Sequence, residues 1–151
     1  MRKKDKEIKD VAAIEDVLSR AMVCRLGMCD GDRPYVVPLC FGYEDNALYF
    51  HSAGQGKKIE ILRKNNDVCF EVDIDHELVK GEQACDWGMK YKSVVGFGKA
   101  VLVEDIELKR NALDIIMRQY SEGTFEYTER AIDNITIIKV EIESMTGKQS
   151  G

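Results

Sequence analysis

One short stretch, LYFHSAGQGKKIEIL (residues 48–62), places polar and cationic residues where a strand passes into a helix. The strand ends in His51 and Ser52, two glycines follow, and the helix begins with Lys57 and Lys58. The free N–H groups and dipole of a helix start favour an anion, and glycines let a phosphate approach closely. Lysines are otherwise slightly unfavourable at this end of a helix. The stretch therefore predicts a phosphate site, and its alternative is a solvated helix start whose lysines point to water.

This predicted site is not a P-loop. That motif needs G-x-x-x-x-G-K-[ST], whereas His51 occupies the first glycine position and Lys58 follows Lys57. The chain also contains no nucleophile elbow and no paired-carboxylate motif. The pattern indicates a phosphate cradle of a different kind.

His51 follows Phe50 on an alternating strand, so the two side chains face opposite ways. A histidine at a strand end can orient a substrate or donate a proton. The alternative is a histidine that is hydrogen-bonded in the core or at its rim. His76 is the only other histidine and has acidic neighbours, so no metal site is predicted.

The elements that position these residues follow from hydrophobic periodicity. DVAAIEDVLSRA predicts a helix capped by Asp10, with one apolar face. That face comprises Val11, Ile14, Val17, Leu18 and Ala21. The turn signals DGD and EDN then divide residues 22–53 into three short antiparallel strands.

The run YVVPLCF (residues 35–41) is dense enough in apolar residues to predict a strand buried on both faces. Pro38 in its middle conflicts with that interpretation, because proline removes a ladder donor and usually lies at edges or bulges. Local violations of this kind tend to mark function.

The second half of the chain reads as two long strands, a helix and a final strand. DVCFEVDIDHELV alternates, with Val68, Phe70, Val72 and Ile74 on one face, and YKSVVGFGKAVLVED is a strand loosened by Gly96 and Gly98. Between them lies a loop with Trp87, which can cap a pocket or simply pack. IELKRNALDIIMRQYS predicts a helix whose apolar stripe is Leu108, Ala112, Ile115, Ile116 and Met117.

KKIEILRKN adds a short helix with Ile59 and Leu62 inward, and ITIIKVEIESMTGK is the last strand. The count is about six strands and three helices in one domain, residues 1–151. Because turns join most strands, the pattern favours a mainly β fold: a closed or partly closed antiparallel barrel with peripheral helices.

Composition bounds the function. The chain has 151 residues, a net charge of −5 and a pI near 5.2, which argue against general nucleic-acid binding. No apolar run approaches the ~20 residues of a membrane span. We therefore predict a cytoplasmic protein without a membrane anchor. Five cysteines without a C-x-x-C pair predict reduced, structural thiols.

Three stretches in this order carry a family resemblance: PYVVPLCFGYEDNALYFHSAGQGKKIEIL, DVCFEVD and YKSVVGFGKA. Together they resemble the flavin-binding split-barrel proteins related to pyridoxamine phosphate oxidase, and most of all the nitroimidazole-resistance (Nim-type) reductases. The resemblance implies a six-stranded, Greek-key-like antiparallel barrel. It also implies a homodimer with one FMN in each of two clefts at the subunit interface.

The resemblance also implies roles for individual residues. The isoalloxazine would be lined, partly through backbone groups, by Val36, Val37, Pro38 and Leu39. His51 and Ser52 would touch the flavin from the strand end, and Ser93 would offer it a polar side chain. Lys57 and Lys58 fall where the oxidases place a basic pair on the FMN phosphate.

Two departures narrow the expected activity. Tyr35 stands where the oxidases carry a phosphate-binding arginine, and their C-terminal segment has no counterpart after Lys148, so we do not expect vitamin oxidation. We expect an FMN-dependent oxidoreductase that reduces a small organic acceptor such as a nitroaromatic, with His51 as the catalytic residue. The alternatives are a flavin store, sensor or electron carrier, or heme or a deazaflavin in the same cleft.

Overall fold

The structure, a computed structural model, describes residues 4–151. Its eight strands are β1 Glu7–Ile8, β2 Cys24–Asp30, β3 Arg33–Leu39, β4 Gly42–Glu44, β5 Ala47–Ala53, β6 Asp67–Val79, β7 Gly88–Val103 and β8 Ile135–Ser150. The α-helices are α1 Val11–Arg20, α2 Lys57–Lys64, α3 Ile106–Arg118 and α4 Glu129–Asp133. Short 3-10 helices occupy Lys4–Lys6 and Ala84–Asp86.

The strands form one antiparallel sheet that curls round without pairing its two end strands among residues 4–151. Their order is β3-β2-β6-β7-β8-β5-β4, with β1 on β8, so β3 and β4 lie at opposite ends of the sheet. Only Cys40 and Phe41 connect these two end strands. The step from Leu39 to Gly42 spans at most about 11 Å, so the sheet must curl until its ends meet. The predicted antiparallel barrel is confirmed, with β3 and β4 adjacent at its split.

Two predicted counts were wrong. The predicted strand through residues 35–41 stops at Leu39, β4 begins at Gly42, and β1 adds a further short strand, so residues 4–151 contain eight strands instead of about six. The polar segment predicted as a loop contains the additional helix α4. Thr128 caps the start of this helix by accepting a hydrogen bond from the Ala131 N–H. No helix in residues 4–151 combines the length and apolar character needed to cross a membrane.

The barrel interior follows the predicted alternation on β6, since Val68, Phe70, Val72 and Ile74 are all buried. On α1, Ile14, Val17 and Leu18 pack inward, and Asp10 accepts a hydrogen bond from the Ala12 N–H as predicted. Val11 is 61% exposed, contrary to prediction, because only the later turns of α1 are covered.

The inner face of α3 also differs from prediction. Ala112, Ile115 and Ile116 are buried as predicted, but Leu108 is 58% exposed. The neighbouring Lys109 is buried in its place, at 4% exposure. The helix is therefore rotated so that a charged residue, and not a leucine, faces the interior at its first turn.

The prediction of structural cysteines was right for one residue of five. Cys24 is buried, and desolvation raises the pKa of its thiol to about 12, so it behaves as a small apolar side chain. Cys29, Cys40, Cys69 and Cys85 are exposed, and all five thiols are unpaired. Strand alternation explains the difference for Cys69, which lies between the buried Val68 and Phe70 and therefore faces outward.

Gly96 and Gly98 on β7 are required by close packing. A Cβ on Gly96 would lie 2.3 Å from the Phe70 ring. A Cβ on Gly98 would meet the Glu141 carbonyl oxygen where the β7–β8 register shifts. These two glycines let β7 pass close to a core ring on one side and to β8 on the other.

We predict that Gly96→Ala lowers the free energy of unfolding by about 1–3 kcal/mol, because the added methyl overpacks the core against Phe70. Gly88→Ala on the same strand is the matched control, because no described atom lies within 4 Å of a Cβ there. Urea denaturation of both variants measures the difference. Equal stabilities would show that Phe70 moves aside without cost.

Candidate functional site

The loop between β5 and α2, Gly54–Gln55–Gly56, is here called the glycine corner. Gly56 has φ 122° and ψ 174°, a conformation that is essentially restricted to glycine. Gly56 is also the N-cap of α2, where no side chain caps the helix. Among the described residues, none has an atom within 4 Å of a Cβ built on Gly56. At Gly56 the corner therefore has open space beside the start of α2, and no described side chain caps that start.

The corner packs beside the β2–β3 hairpin. Lys57 Nζ lies 4.6 Å from the centre of the Tyr35 ring and 3.9 Å from Asp30 Oδ2. Both partners of this ion pair are about half exposed, so the pair contributes little stability. Lys57 is thus available to a ligand, and Lys58 follows it, half-buried, on the first turn of α2.

The strand β3 is the terminal strand of the sheet and pairs only with β2 among residues 4–151. The prediction that it is buried on both faces was wrong. Val36, at 62% exposure, and Pro38 face outward, whereas Val37 and Leu39 are half-buried against the core. An edge strand tolerates Pro38 and leaves backbone groups free along one side.

His51 and Ser52 lie at the end of β5, immediately before the glycine corner. His51 is exposed and Ser52 is buried, at 8% exposure, because strand alternation points them to opposite faces. In the β5–β8 register they pair with Ile137 and Thr136. Of the two side chains, only that of His51 is accessible to solvent and to a small molecule.

Ser93 lies on β7, away from the corner, and is buried, at 9% exposure. It shares a face with Val95 and Phe97, which are 40% and 57% exposed. A register row runs from Val36 across β2 and β6 to Phe97, which is three strand spacings or about 14 Å. Ser93 is a further four residues along β7. A single chain therefore does not bring Ser93 to the residues around the glycine corner.

Two features of this region were not predicted. The outward face of β2, β3, β6 and β7 forms a groove of about 360 Å³, here called the sheet-face groove, lined by Gly27, Val36, Cys69 and Phe97 among others. The alternation of Val95 and Phe97 in the sequence was a signal for it.

The second unpredicted feature is Tyr120. Its hydroxyl donates to the Met22 carbonyl and accepts from the Phe41 N–H, both at 2.9 Å. Burial raises the pKa of Tyr120 to about 12, so the phenol stays neutral. These hydrogen bonds fix the connection that leads from β3 into β4.

The family model of pyridoxamine 5'-phosphate oxidase matches residues 10–149. The chain belongs to the pyridoxamine 5'-phosphate oxidase family. The predicted family resemblance is thus confirmed over nearly the whole sequence.

Three solved structures are informative. A candidate 5-nitroimidazole antibiotic resistance protein from Bacteroides thetaiotaomicron is 43% identical, with TM-score 0.85, over 95% of this chain and 86% of that chain. An FAD-binding protein from Mesorhizobium loti is 28% identical, with TM-score 0.68, over 94% and 96%. The flavocytochrome Anf3 from Azotobacter vinelandii is 20% identical, with TM-score 0.87, over 100% and 72%, and shows the fold alone.

A curated relative extends the comparison only slightly. An uncharacterized protein of Rhizobium meliloti (strain 1021) is 33% identical over 58 residues, which is 38% of this chain and 38% of that protein.

Proposed function

We propose that this chain binds flavin mononucleotide and acts as an oxidoreductase that passes electrons to a small organic acceptor such as a nitroaromatic. The observation that carries this proposal is the contact of Lys57 with Tyr35, which sets a cationic helix start directly beside an apolar edge strand. The similarity to the resistance protein and to the FAD-binding protein supports a flavin and a nitro acceptor.

The residues fit the chemistry of this cofactor. FMN has a doubly charged phosphate, a flat apolar ring system and ring polar atoms that need hydrogen-bond partners. The open backbone around Gly56, with Lys57 and Lys58, suits the phosphate. The exposed side chains of Val36 and Pro38 and the unpaired edge of β3 suit the ring.

Bound flavin supplies the redox chemistry, and the protein supplies position and electrostatics. Lys57 and Lys58 neutralise and hold the phosphate. The edge of β3 orients the ring plane. His51 is exposed at the end of β5 and can orient the acceptor or deliver a proton.

We further propose that two copies of the chain pair through the sheet-face groove. Its exposed apolar residues Val36 and Phe97, with Val95 on the same face of β7, form a surface that isolated soluble chains rarely present. Ser93 lies on this same face but about 14 Å or more from the edge strand of its own chain. The Ser93 that could reach the first copy's β3 is therefore that of a second copy, and only the exposed 9% of it could touch a ligand there.

The cofactor's identity is tested by the mass of the chromophore released from purified protein. We expect the mass of FMN. The mass of FAD would show a different flavin, and a heme spectrum would contradict the proposal that the chain binds a flavin. A flavin-loaded protein that turns over no acceptor with a nicotinamide donor would be a carrier or sensor.

We predict that Lys57→Ala/Lys58→Ala weakens FMN binding by at least about tenfold and leaves riboflavin binding unchanged, because hydrogen bonds to a charged phosphate are lost. Arg63→Ala/Lys64→Ala removes the same charge from the other end of α2 and is the matched control. Fluorescence titration measures both affinities. Equal FMN affinity in the two variants would contradict the proposal that the FMN phosphate binds at the glycine corner.

We predict that His51→Ala keeps wild-type FMN affinity but lowers the turnover of a nitroaromatic by at least about tenfold, through loss of proton delivery. His76→Ala is the control, because His76 is also exposed and lies beside Asp73, with Nε2 and Oδ2 3.3 Å apart. Steady-state kinetics over a range of pH provides the measurement. Full turnover in His51→Ala would refute a catalytic role.

We predict that Phe97→Glu converts a dimer into a monomer, because it places a charge at the centre of an apolar interface. Leu108→Glu is the control, since Leu108 is 58% exposed on α3, outside the sheet-face groove. Light scattering gives the mass of each variant. A wild-type monomer with FMN bound, or a Phe97→Glu dimer, would contradict the proposed interface.

A further inference from the structure

A charged network lies under α3 on the side that faces the end of β5. The Lys109 side chain is 5% exposed, its Nζ donates a hydrogen bond to the Ile132 carbonyl oxygen at 3.3 Å, and Glu104 Oε2 lies at the same distance. Burying an ammonium group costs free energy unless it is paired and hydrogen-bonded, and here it is both. Lys109 therefore has a fixed position between α4 and the segment before α3.

The second oxygen of Glu104 extends the network to the sheet. Thr136 Oγ1 donates a hydrogen bond to Glu104 Oε1 at 3.0 Å, and Thr136 is 2% exposed. A Cβ built on Gly54 would lie 3.5 Å from the same Thr136 hydroxyl oxygen. The hydroxyl that Glu104 holds thus faces the glycine corner at Gly54, where an added side chain would touch it.

Strand pairing strengthens this connection. Thr136 pairs with Ser52, and Ile135 pairs with Ala53, so the start of β8 holds the last two residues before the corner. Lys109 also binds the Ile132 carbonyl in α4, three residues before β8 begins. The network fixes both sides of the β8 start against which the corner rests.

Stability alone does not account for a lysine at this position. A buried ion pair is weak evidence for stability, since apolar residues of similar volume often serve as well or better. Such groups are retained in some proteins because they specify one conformation. The corner needs that specification, because Gly56 has a conformation reserved for glycine and no side chain caps α2.

We infer that Lys109, acting through Glu104 and Thr136, is a positioning residue that holds the glycine corner in the shape that binds a phosphate. This inference rests on the proposed function, in which that corner receives the FMN phosphate. Without Lys109, the carboxylate of Glu104, which is 62% exposed, turns to water and releases the Thr136 hydroxyl. Phosphate binding weakens, while contacts of the ring with β3 remain.

A positioning role of Lys109 is measured by the ratio of FMN affinity to riboflavin affinity. Riboflavin has the same ring as FMN and lacks the phosphate, so the ratio reports on phosphate binding. The variants are Lys109→Met, which keeps a long unbranched side chain, Thr136→Val, and the two combined. Arg110→Met is the matched control, since Arg110 lies on the same helix but donates to the Tyr127 carbonyl. Both affinities are measured by fluorescence titration of the full-length chain freed of flavin.

We expect the ratio to fall about three- to tenfold in each single variant, which corresponds to the net contribution of one hydrogen bond. The combined variant should be no worse than either single one, since both act through the same contact. Arg110→Met should keep the wild-type ratio. Additive losses would overturn the route through Thr136.

A Lys109→Met ratio within about twofold of wild type would overturn the inference, because that is less than one hydrogen bond contributes. If Lys109→Met does not fold, Thr136→Val decides by the same criterion. The Lys57→Ala/Lys58→Ala variant distinguishes failure of the proposed phosphate site from failure of the proposed positioning role. If that double variant leaves the ratio unchanged, the phosphate site itself fails; if it lowers the ratio and the Lys109 and Thr136 variants do not, only the positioning role fails.

Discussion

The two-residue connection between β3 and β4 is the constraint on which the rest of the structure depends. Cys40 and Phe41 join strands from opposite ends of the sheet order. Because this connection is so short, the sheet must curl until its two end strands meet there. Phe41 is fully buried, its ring centre lies 6.5 Å from that of Phe50, and its N–H binds the Tyr120 hydroxyl. Because β3 and β4 meet at this connection without pairing among residues 4–151, β3 keeps the edge that we propose for a flavin ring.

Lys57 and Lys109 differ in burial, and for that reason we propose different roles for them. Lys57 is half exposed and its ion pair with Asp30 is weak, so a phosphate can compete for it. Lys109 is buried and its carboxylate and carbonyl partners fix it in place, so no ligand can reach it. The lysine that we propose for phosphate binding and the lysine that we propose for positioning thus differ in solvent access more than in chemistry.

The sheet-face groove is an apolar surface on a chain in which 32% of residues are charged. Val36 belongs both to this groove and to the proposed ring-binding strand, so the groove is continuous with the proposed cofactor site. Pairing of two copies would cover the groove and bring in Ser93 from the second chain. The proposed dimer and the proposed cofactor site therefore depend on each other. The second copy would cover the groove, and the flavin ring would cover the adjoining edge of β3.

The sequence by itself determined the mainly β class, the bounds of most elements and the strand-to-helix junction, because these depend on local periodicity and turn residues. The alternation on β6 and the Asp10 cap are of this kind. Only the tertiary structure decided that β3 is an exposed edge, that α3 buries Lys109 in place of Leu108, and that Lys57 meets Tyr35. Exposure and contact depend on which distant segments cover a surface, and an apolar strand reads the same whether its second face meets protein, cofactor or another copy.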